Sequence, residues 1–176
     1  RTVVVCAGNL EAGGRIAACQ TKGVLVEKNG WRLRTAGTDE EGSRAEAKSS
    51  LSMEGIVDFA LTARLDDVKQ VLDRQIEYNM AIAEEGMKHA YGANVGKVLL
   101  AAYGDDVKIR ARAKAAAGSD ARMNGCELPV VINSGSGNQG ITVSVPVIEY
   151  ARELGAGDEQ LYRALLISNL TAIHMK

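Results

Sequence analysis

A helical repeat of apolar residues from position 52 onward constrains the fold more than any other feature of this sequence. Apolar residues recur there at spacings of three and four, which places them on one face of an α-helix. They are Met53, Ile56, Val57, Ala60 and Leu61, followed by Val68, Val71, Leu72, Ile76, Met80 and Ala83, with Gln75 and Asn79 in phase. Asp66 and Asp67 suit the start of the second helix and Lys88 its end, because carboxylates are favourable near a helix N-terminus and cations near its C-terminus. The pattern predicts two amphipathic helices, the second of them long.

Three later stretches also predict helices. Residues 95–100 form a short apolar one, and residues 105–117 form a basic, alanine-rich one with a thin apolar side. We expect the basic stretch to be a solvated helix flank, with an anion-binding face as the alternative. A last helix is predicted from an N-cap at Asp158 to about His174. It is leucine-rich on most sides, which favours a further segment or a second copy of the chain packing on it.

The first 37 residues have a different pattern. Residues 2–6 form a short β-branched run bounded by glycine. Residues 23–27 and 31–35 predict a hairpin that turns at Asn29-Gly30, because this dipeptide suits a two-residue turn. This opening predicts a small β piece.

The segment between these two patterns divides the chain. Residues 38–50 are charged or small and predict a solvated linker. We therefore predict an α+β fold, mainly helical, in which a small N-terminal β unit (residues 1–37) is followed by a helical bundle (residues 51–176) that carries a glycine-rich loop.

Length and charge limit the classes of partner. The chain has 176 residues, enough for one ordinary core or one core with a small appended unit. A formal net charge of -1 gives no reason to expect nucleic acid or an anionic membrane as partner, since both select a clustered basic excess. No apolar run approaches the roughly 20 residues that a membrane helix needs. We expect a soluble, cytoplasmic homo-oligomer that acts on a small molecule and, because it opens at Arg1, a piece of a longer protein.

A polar, glycine-rich stretch between two apolar runs is the strongest candidate for a binding loop. From Asn133 to Gly140 it reads Asn-Ser-Gly-Ser-Gly-Asn-Gln-Gly. Glycine admits positive φ angles and close approach to the main chain, and the helix predicted after the loop, ending near residues 154–155, directs its free N–H groups at an anion. The candidate binding residues are Ser134, Gly135, Ser136, Gly137, Asn138 and Gln139. The alternative is a tight loop whose polar groups cap their own backbone.

Arg122 and Asp120 complete the candidate site. They fall in a polar stretch, residues 118–125, that we predict to be a turn before the apolar lead-in to the loop. Arg122 can form the bidentate clamp on a carboxylate that the neutral loop donors lack. Asp120 is close enough in sequence to pair with Arg122 or to lie at the rim of the same pocket.

Several segments resemble a known family. Residues 119–125 read Ser-Asp-Ala-Arg-Met-Asn-Gly, and residues 128–141 read Leu-Pro-Val-Val-Ile-Asn-Ser-Gly-Ser-Gly-Asn-Gln-Gly-Ile. Together with Arg163-Ala164-Leu165, Ser168-Asn169-Leu170 and Ile173-His174, they resemble the L-cysteine desulfidase family, relatives of the iron–sulfur L-serine dehydratase α chain. The resemblance is specific from about Ser119 to the end of the chain and looser over the helices from Ser52.

The resemblance implies β-elimination, in which L-cysteine or L-serine yields pyruvate and ammonia with loss of sulfide or water. It also implies a [4Fe-4S] cluster in the full-length protein, whose open iron acts as a Lewis acid on the leaving group. The reaction further needs an acceptor for the α-proton and donors that hold the carboxylate. Residues 134–139 and Arg122 are the candidate donors, and no residue is assigned as the base.

The three cysteines depart from that family's cluster motifs. Cys6, Cys19 and Cys126 are odd in number, far apart and without C-x-x-C spacing, so each is predicted to be a small buried thiol. Only Cys126, near the loop, remains a candidate metal ligand. We expect the cluster to be absent from this chain and the chain alone to be inactive.

Three functions follow from these patterns. The leading hypothesis is that the chain forms part of an iron–sulfur-dependent ammonia-lyase that acts on L-cysteine or L-serine. The second is a non-catalytic protein that binds an amino acid or another anion on the same fold. The third is a helical scaffold in which the glycine loop only packs, and an anion bound at the loop separates it from the other two.

Overall fold

The computed structural model describes residues 51–175 in full and the backbone of residues 2–3, 26–28 and 31–33. The chain divides into two units, Arg1–Leu51 and Ser52–Lys176. Cys6, Cys19, the predicted linker and most of the predicted β unit lie outside the described residues.

Three short strands are described in the first unit. They are β1 (Thr2–Val3), β2 (Val26–Lys28) and β3 (Trp31–Leu33). β3 lies between the other two, parallel to β1 and antiparallel to β2. Lys28 is paired with Trp31 and Val26 with Leu33.

Six helices make up the described part of the second unit. They are α1 (Met53–Thr62), α2 (Asp66–Lys88), α3 (Val95–Tyr103), α4 (Val107–Met123), α5 (Gly137–Glu153) and α6 (Asp158–His174). Across residues 51–175, no helix combines the length and apolarity that a bilayer crossing requires.

The predicted α+β class is wrong, because the described fold is helical. Residues 51–175 contain no strand, and the strands described in the first unit have only two or three residues each. A typical strand has about five to six residues. The class is therefore decided by the three- and four-residue apolar spacing of the second unit.

The helix boundaries follow local signals. The Gly55 N–H donates to the Ser52 side-chain oxygen at 3.1 Å, so Ser52 caps α1. α2 begins at Asp66 and ends at Lys88, as its charges predict. α6 is shifted by one residue from the prediction, because Gly157 is the N-cap and Asp158 is the first helical residue.

Helix α4 lies at the centre of the bundle, between α2, α3 and α5. Its small side chains are buried, including Ala113 and Ala121. A Cβ on Gly86 of α2 would lie 2.1 Å from the Ala117 carbonyl oxygen, so the two backbones are almost in contact. The predicted solvated flank is therefore wrong, and the predicted turn at residues 118–125 is helical as far as Met123. Alanine and glycine bury little apolar area but allow helices to approach closely, which a search for bulky apolar residues misses.

The bulky core lies between α5, α6 and α2. Its fully buried members include Ile82, Ile141, Val145, Ile148 and Leu165. α6 packs against α1 and α5, so its buried leucines are covered within the chain. Self-association stays a prediction.

Candidate functional site

The glycine-rich loop is a tight turn that leads directly into α5. Asn133 and Ser136 exchange two main-chain hydrogen bonds, with N···O distances of 3.1 and 3.0 Å. The residues between them, Ser134 and Gly135, have φ angles of 48° and 80°. Two successive positive φ angles inside a two-residue turn are typical of type I′, in which glycine is favoured and serine uncommon. The turn places Ser136 at the N-cap of α5.

Ser136 caps the helix only in part. Its side-chain oxygen accepts from the Gln139 N–H at 3.3 Å, and its carbonyl accepts from the Gly140 N–H at 3.0 Å. The N–H groups of Gly137 and Asn138 have no acceptor among the described residues. Two N–H donors without an acceptor in residues 51–175 therefore lie at the positive end of the helix dipole, one on the buried Gly137 and one on the half-buried Asn138.

The Arg122 side chain lies against the N-terminus of α5. A Cβ on Gly137 would be 2.2 Å from Arg122 Nε and 2.8 Å from Cζ, so the guanidinium group fills the space that a side chain would occupy. Arg122 Nη1 also donates to Asn138 Oδ1 at 3.1 Å. Within residues 51–175 no carboxylate lies at ion-pair distance from Arg122. The structure thus brings Arg122 together with Gly137 and Asn138 of the predicted site.

Asp120 serves a different helix. Its Oδ2 accepts from the Val95 N–H at 2.9 Å and so caps α3, whose N-cap residue Asn94 makes no side-chain capping bond. Asp120 and Arg122 are two residues apart on α4, and side chains at that spacing do not face each other on a helix. The structure does not join Asp120 to the glycine loop.

Buried amide side chains anchor the loop to two helices. Gln75 on α2 and Asn169 on α6 exchange two side-chain hydrogen bonds, of 2.9 and 2.8 Å. Asn133 Nδ2 donates to Asn169 Oδ1 at 2.9 Å and to the Asn169 carbonyl at 3.2 Å. We call Gln75, Asn169 and Asn133 the amide relay. Sequence reasoning did not predict it, although Gln75 was a visible signal as a polar residue in phase with an apolar helix face.

Asn79 holds the segment that leads into the loop. Its side chain is fully buried and forms two bonds with the Val131 main chain, accepting from N–H at 2.8 Å and donating to C=O at 3.1 Å. Asn79 also donates to Ser144 Oγ at 2.9 Å. The segment lies so close to α5 that a Cβ on Gly140 would be 2.0 Å from the Val131 carbonyl oxygen. The glycine at position 140 is therefore required for packing, independently of any ligand.

Cys126 is half-buried beside Tyr91 rather than in a metal site. The pKa of Tyr91 is raised to about 12 by its hydrogen bond to Glu85, by burial and by the Cys126 thiol. In the part of the chain that the structure describes, no group of three or more Cys, His, Asp or Glu side chains could hold a metal ion. These residues do not fit an iron–sulfur cluster, which takes several thiolate ligands.

Comparison with known proteins finds a family and a set of relatives. The family described as serine dehydratase alpha chain matches this sequence over residues 28–176. A UPF0597 protein of Desulfitobacterium hafniense (strain Y51) is 60% identical over 163 residues, which cover 92% of this chain and 38% of that protein. A UPF0597 protein of Lachnoclostridium phytofermentans is 62% identical over 128 residues, which cover 73% of this chain and 31% of that protein.

A more distant relative covers almost the whole chain. A UPF0597 protein of Bacteroides thetaiotaomicron is 38% identical over 183 aligned residues, which cover 99% of this chain and 42% of that protein. The chain therefore spans between 31% and 42% of the length of these three relatives. No solved structure matches the chain.

Proposed function

Because the chain belongs to the serine dehydratase alpha-chain family, we propose that it forms part of an ammonia-lyase and binds the carboxylate of a small amino acid at its glycine loop. The relation to the serine dehydratase α chain that the sequence indicated is confirmed. The proposed reaction is β-elimination, in which L-serine loses water, or L-cysteine loses sulfide, and pyruvate and ammonia are released.

The observation that carries this proposal is the position of Arg122 over the start of α5. The N–H groups of Gly137 and Asn138, which have no acceptor in residues 51–175, lie at the same helix end as the Arg122 guanidinium. A carboxylate with two oxygens can accept from the main-chain donors and from the guanidinium at once, and such charge-assisted bonds are the stronger class of hydrogen bond.

The charge of this arrangement favours a monoanion. The loop itself contributes neutral hydroxyl, amide and main-chain groups, and Arg122 adds one positive charge. One cation with neutral donors balances the single charge of a carboxylate, and the guanidinium fork matches its two oxygens. Within the reaction, the role of these residues is to hold and orient the carboxylate, which brings the reacting carbon atoms to a constant position.

The iron–sulfur cluster is proposed for the full-length protein and not for these residues. Cys126 has no companion ligands in residues 51–175. The cluster would therefore be held by cysteines outside the described part of the chain, and we derive no step of the reaction through it.

The test is pyruvate release from L-serine and L-cysteine by the full-length gene product, prepared without oxygen. Arg122→Ala is expected to raise KM by about tenfold or more, because it removes a charge-assisted contact to the carboxylate. Arg122→Lys should recover part of the loss, since lysine keeps the charge but not the bidentate geometry.

A matched control is available on the same helix. Arg112 is exposed and donates only to the Lys108 carbonyl among the described residues, so Arg112→Ala should leave KM unchanged. The lyase proposal fails if the wild-type protein, with its cluster intact, releases no pyruvate from either amino acid. Amino-acid binding that depends on Arg122, without any turnover, would instead establish a non-catalytic binding protein.

A further inference from the structure

We infer that Asn169 is a positioning residue for the glycine loop, and that it acts through Asn133. Asn169 lies on α6, which contributes none of the predicted ligand-binding residues. The inference rests on the proposed function only for the identity of the ligand at the loop. The role of Asn169 itself is argued from the hydrogen bonds of the amide relay.

The orientation of Asn133 depends on one neighbour. Its side-chain amide nitrogen forms two hydrogen bonds, both to Asn169, at 2.9 and 3.2 Å. Its Oδ1 is buried and accepts no hydrogen bond from the described residues. Without Asn169, the buried Asn133 side chain would have no hydrogen-bond partner among the described residues, and buried amides are seldom left in that state.

Asn169 is itself held in place from two sides. Gln75 on α2 bonds both ends of the Asn169 amide, and Asn169 Nδ2 also donates to the Leu165 carbonyl at 2.9 Å. These partners determine which end of the amide faces Asn133, because Oδ1 must accept and Nδ2 must donate. Asn169 therefore presents a fixed acceptor to the loop.

The position of Asn133 is passed on through the main chain. Asn133 exchanges two hydrogen bonds with Ser136, and Ser136 is the N-cap of α5. A displaced Asn133 would open this pair of bonds and turn the first N–H groups of α5 away from Arg122. The relay thus connects α2 and α6 to the donors that are proposed to hold the carboxylate.

The main variant is Asn169→Leu in the full-length protein, and Gln75→Leu is its matched control. Gln75→Leu removes two amide bonds from the same relay but leaves both bonds between Asn169 and Asn133. Asn169→Asp keeps an acceptor for Asn133 and is the conservative variant. Asn133→Ala deletes the same two bonds from the loop side and serves if Asn169→Leu does not fold.

The direct measurement is hydrogen exchange at the Ser136 and Gly140 amides, which are bonded to Asn133 and Ser136 in the native loop. Asn169→Leu or Asn133→Ala should accelerate exchange there by about tenfold or more relative to Gln75→Leu, because local opening governs exchange of such amides. Asn169→Asp keeps the acceptor for Asn133 but loses the donor to Gln75 and Leu165, so its exchange rate should lie between those of the wild type and Asn169→Leu. Equal acceleration in Asn169→Leu and Gln75→Leu, or none in either, would overturn the inference.

A second measurement separates positioning from simple loss of stability. Asn169→Leu should raise KM for the amino acid while the fraction of folded protein stays constant, and Gln75→Leu should raise it less, because both bonds between Asn169 and Asn133 remain. If the wild-type protein neither binds nor converts L-serine or L-cysteine, the proposed function is wrong. The exchange rates still decide the role of Asn169 in that case, since they need no ligand.

Discussion

Gly137→Ala should separate ligand binding from stability at the glycine loop. The new Cβ would lie 2.2 Å from Arg122 Nε and 2.8 Å from Cζ, far inside normal contact distance. The Arg122 side chain is long, and its hydrogen bond to Asn138 is solvent-exposed. Rotating this side chain outward therefore requires less free energy than displacing the helix. The guanidinium then leaves the N-terminus of α5.

The expected loss of affinity follows from the contact that is removed. Hydrogen bonds to charged groups contribute about 1.5 to 3 kcal/mol. Because about 1.4 kcal/mol corresponds to a tenfold change in affinity, Gly137→Ala should weaken amino-acid binding by about ten- to a hundredfold.

The expected effect on stability has the opposite sign. Gly137 is the first residue of α5 and has no positive φ angle. Replacing such a glycine by alanine reduces the conformational entropy of the unfolded chain and stabilises a protein by about 0.4 to 1 kcal/mol. A more stable protein that binds its ligand less well is an outcome that general misfolding cannot produce.

The assay is calorimetric titration with L-serine and L-cysteine alongside urea unfolding, both on the full-length protein. Gly157→Ala is the control, because nothing lies within 4 Å of the added Cβ, and it should leave affinity unchanged. Unchanged affinity in Gly137→Ala would refute the assignment of Arg122 and the α5 N-terminus to the carboxylate site.

Three further predictions concern the scaffold. Gly86→Ala should lower the free energy of unfolding by about 3 kcal/mol in urea titrations, because its Cβ would be 2.1 Å from the Ala117 carbonyl oxygen and the two helices must separate. Glu149→Ala should lower the free energy of unfolding by about 3 kcal/mol in the same titrations, since Glu149 is only 3% exposed and its carboxylate pairs with cations from α4. Tyr162 donates a hydrogen bond that, ahead of other causes, lowers the pKa of Asp73 below its ordinary 3.8. Tyr162→Phe should therefore be less stable than wild type at neutral pH, and thermal melts should show the difference shrinking as the pH falls below 3.8.

Much of the helical unit could be predicted from local patterns. The Ser52 cap of α1, the limits of α2 and the glycine-rich turn before α5 all depend on residues within four or five positions of one another. Capping, helix dipoles and the three- and four-residue apolar spacing act over that range, so they are visible in the sequence.

The errors have a common origin in packing between distant segments. A β-branched run and an Asn-Gly hairpin predict a β unit and hence the α+β class, but strand length depends on partners that the pattern does not specify. The basic, alanine-rich stretch was expected to be solvated, and its continuation to be a turn. Both belong to α4, which is buried because small residues meet small residues on α2 and α3.

The amino-acid sequence by itself determined the helical unit, the glycine loop at the start of α5 and the presence of Arg122 near it. Only the tertiary structure decided which side chains meet there. Arg122 reaches Asn138 across 16 positions, Asn133 reaches Asn169 across 36, and Asp120 turns away to cap α3. Helix-forming signals act between residues close in the chain, so they can be recognised in the sequence. These contacts instead join segments far apart in the chain, and they form only when the helices pack and buried polar groups pair with one another.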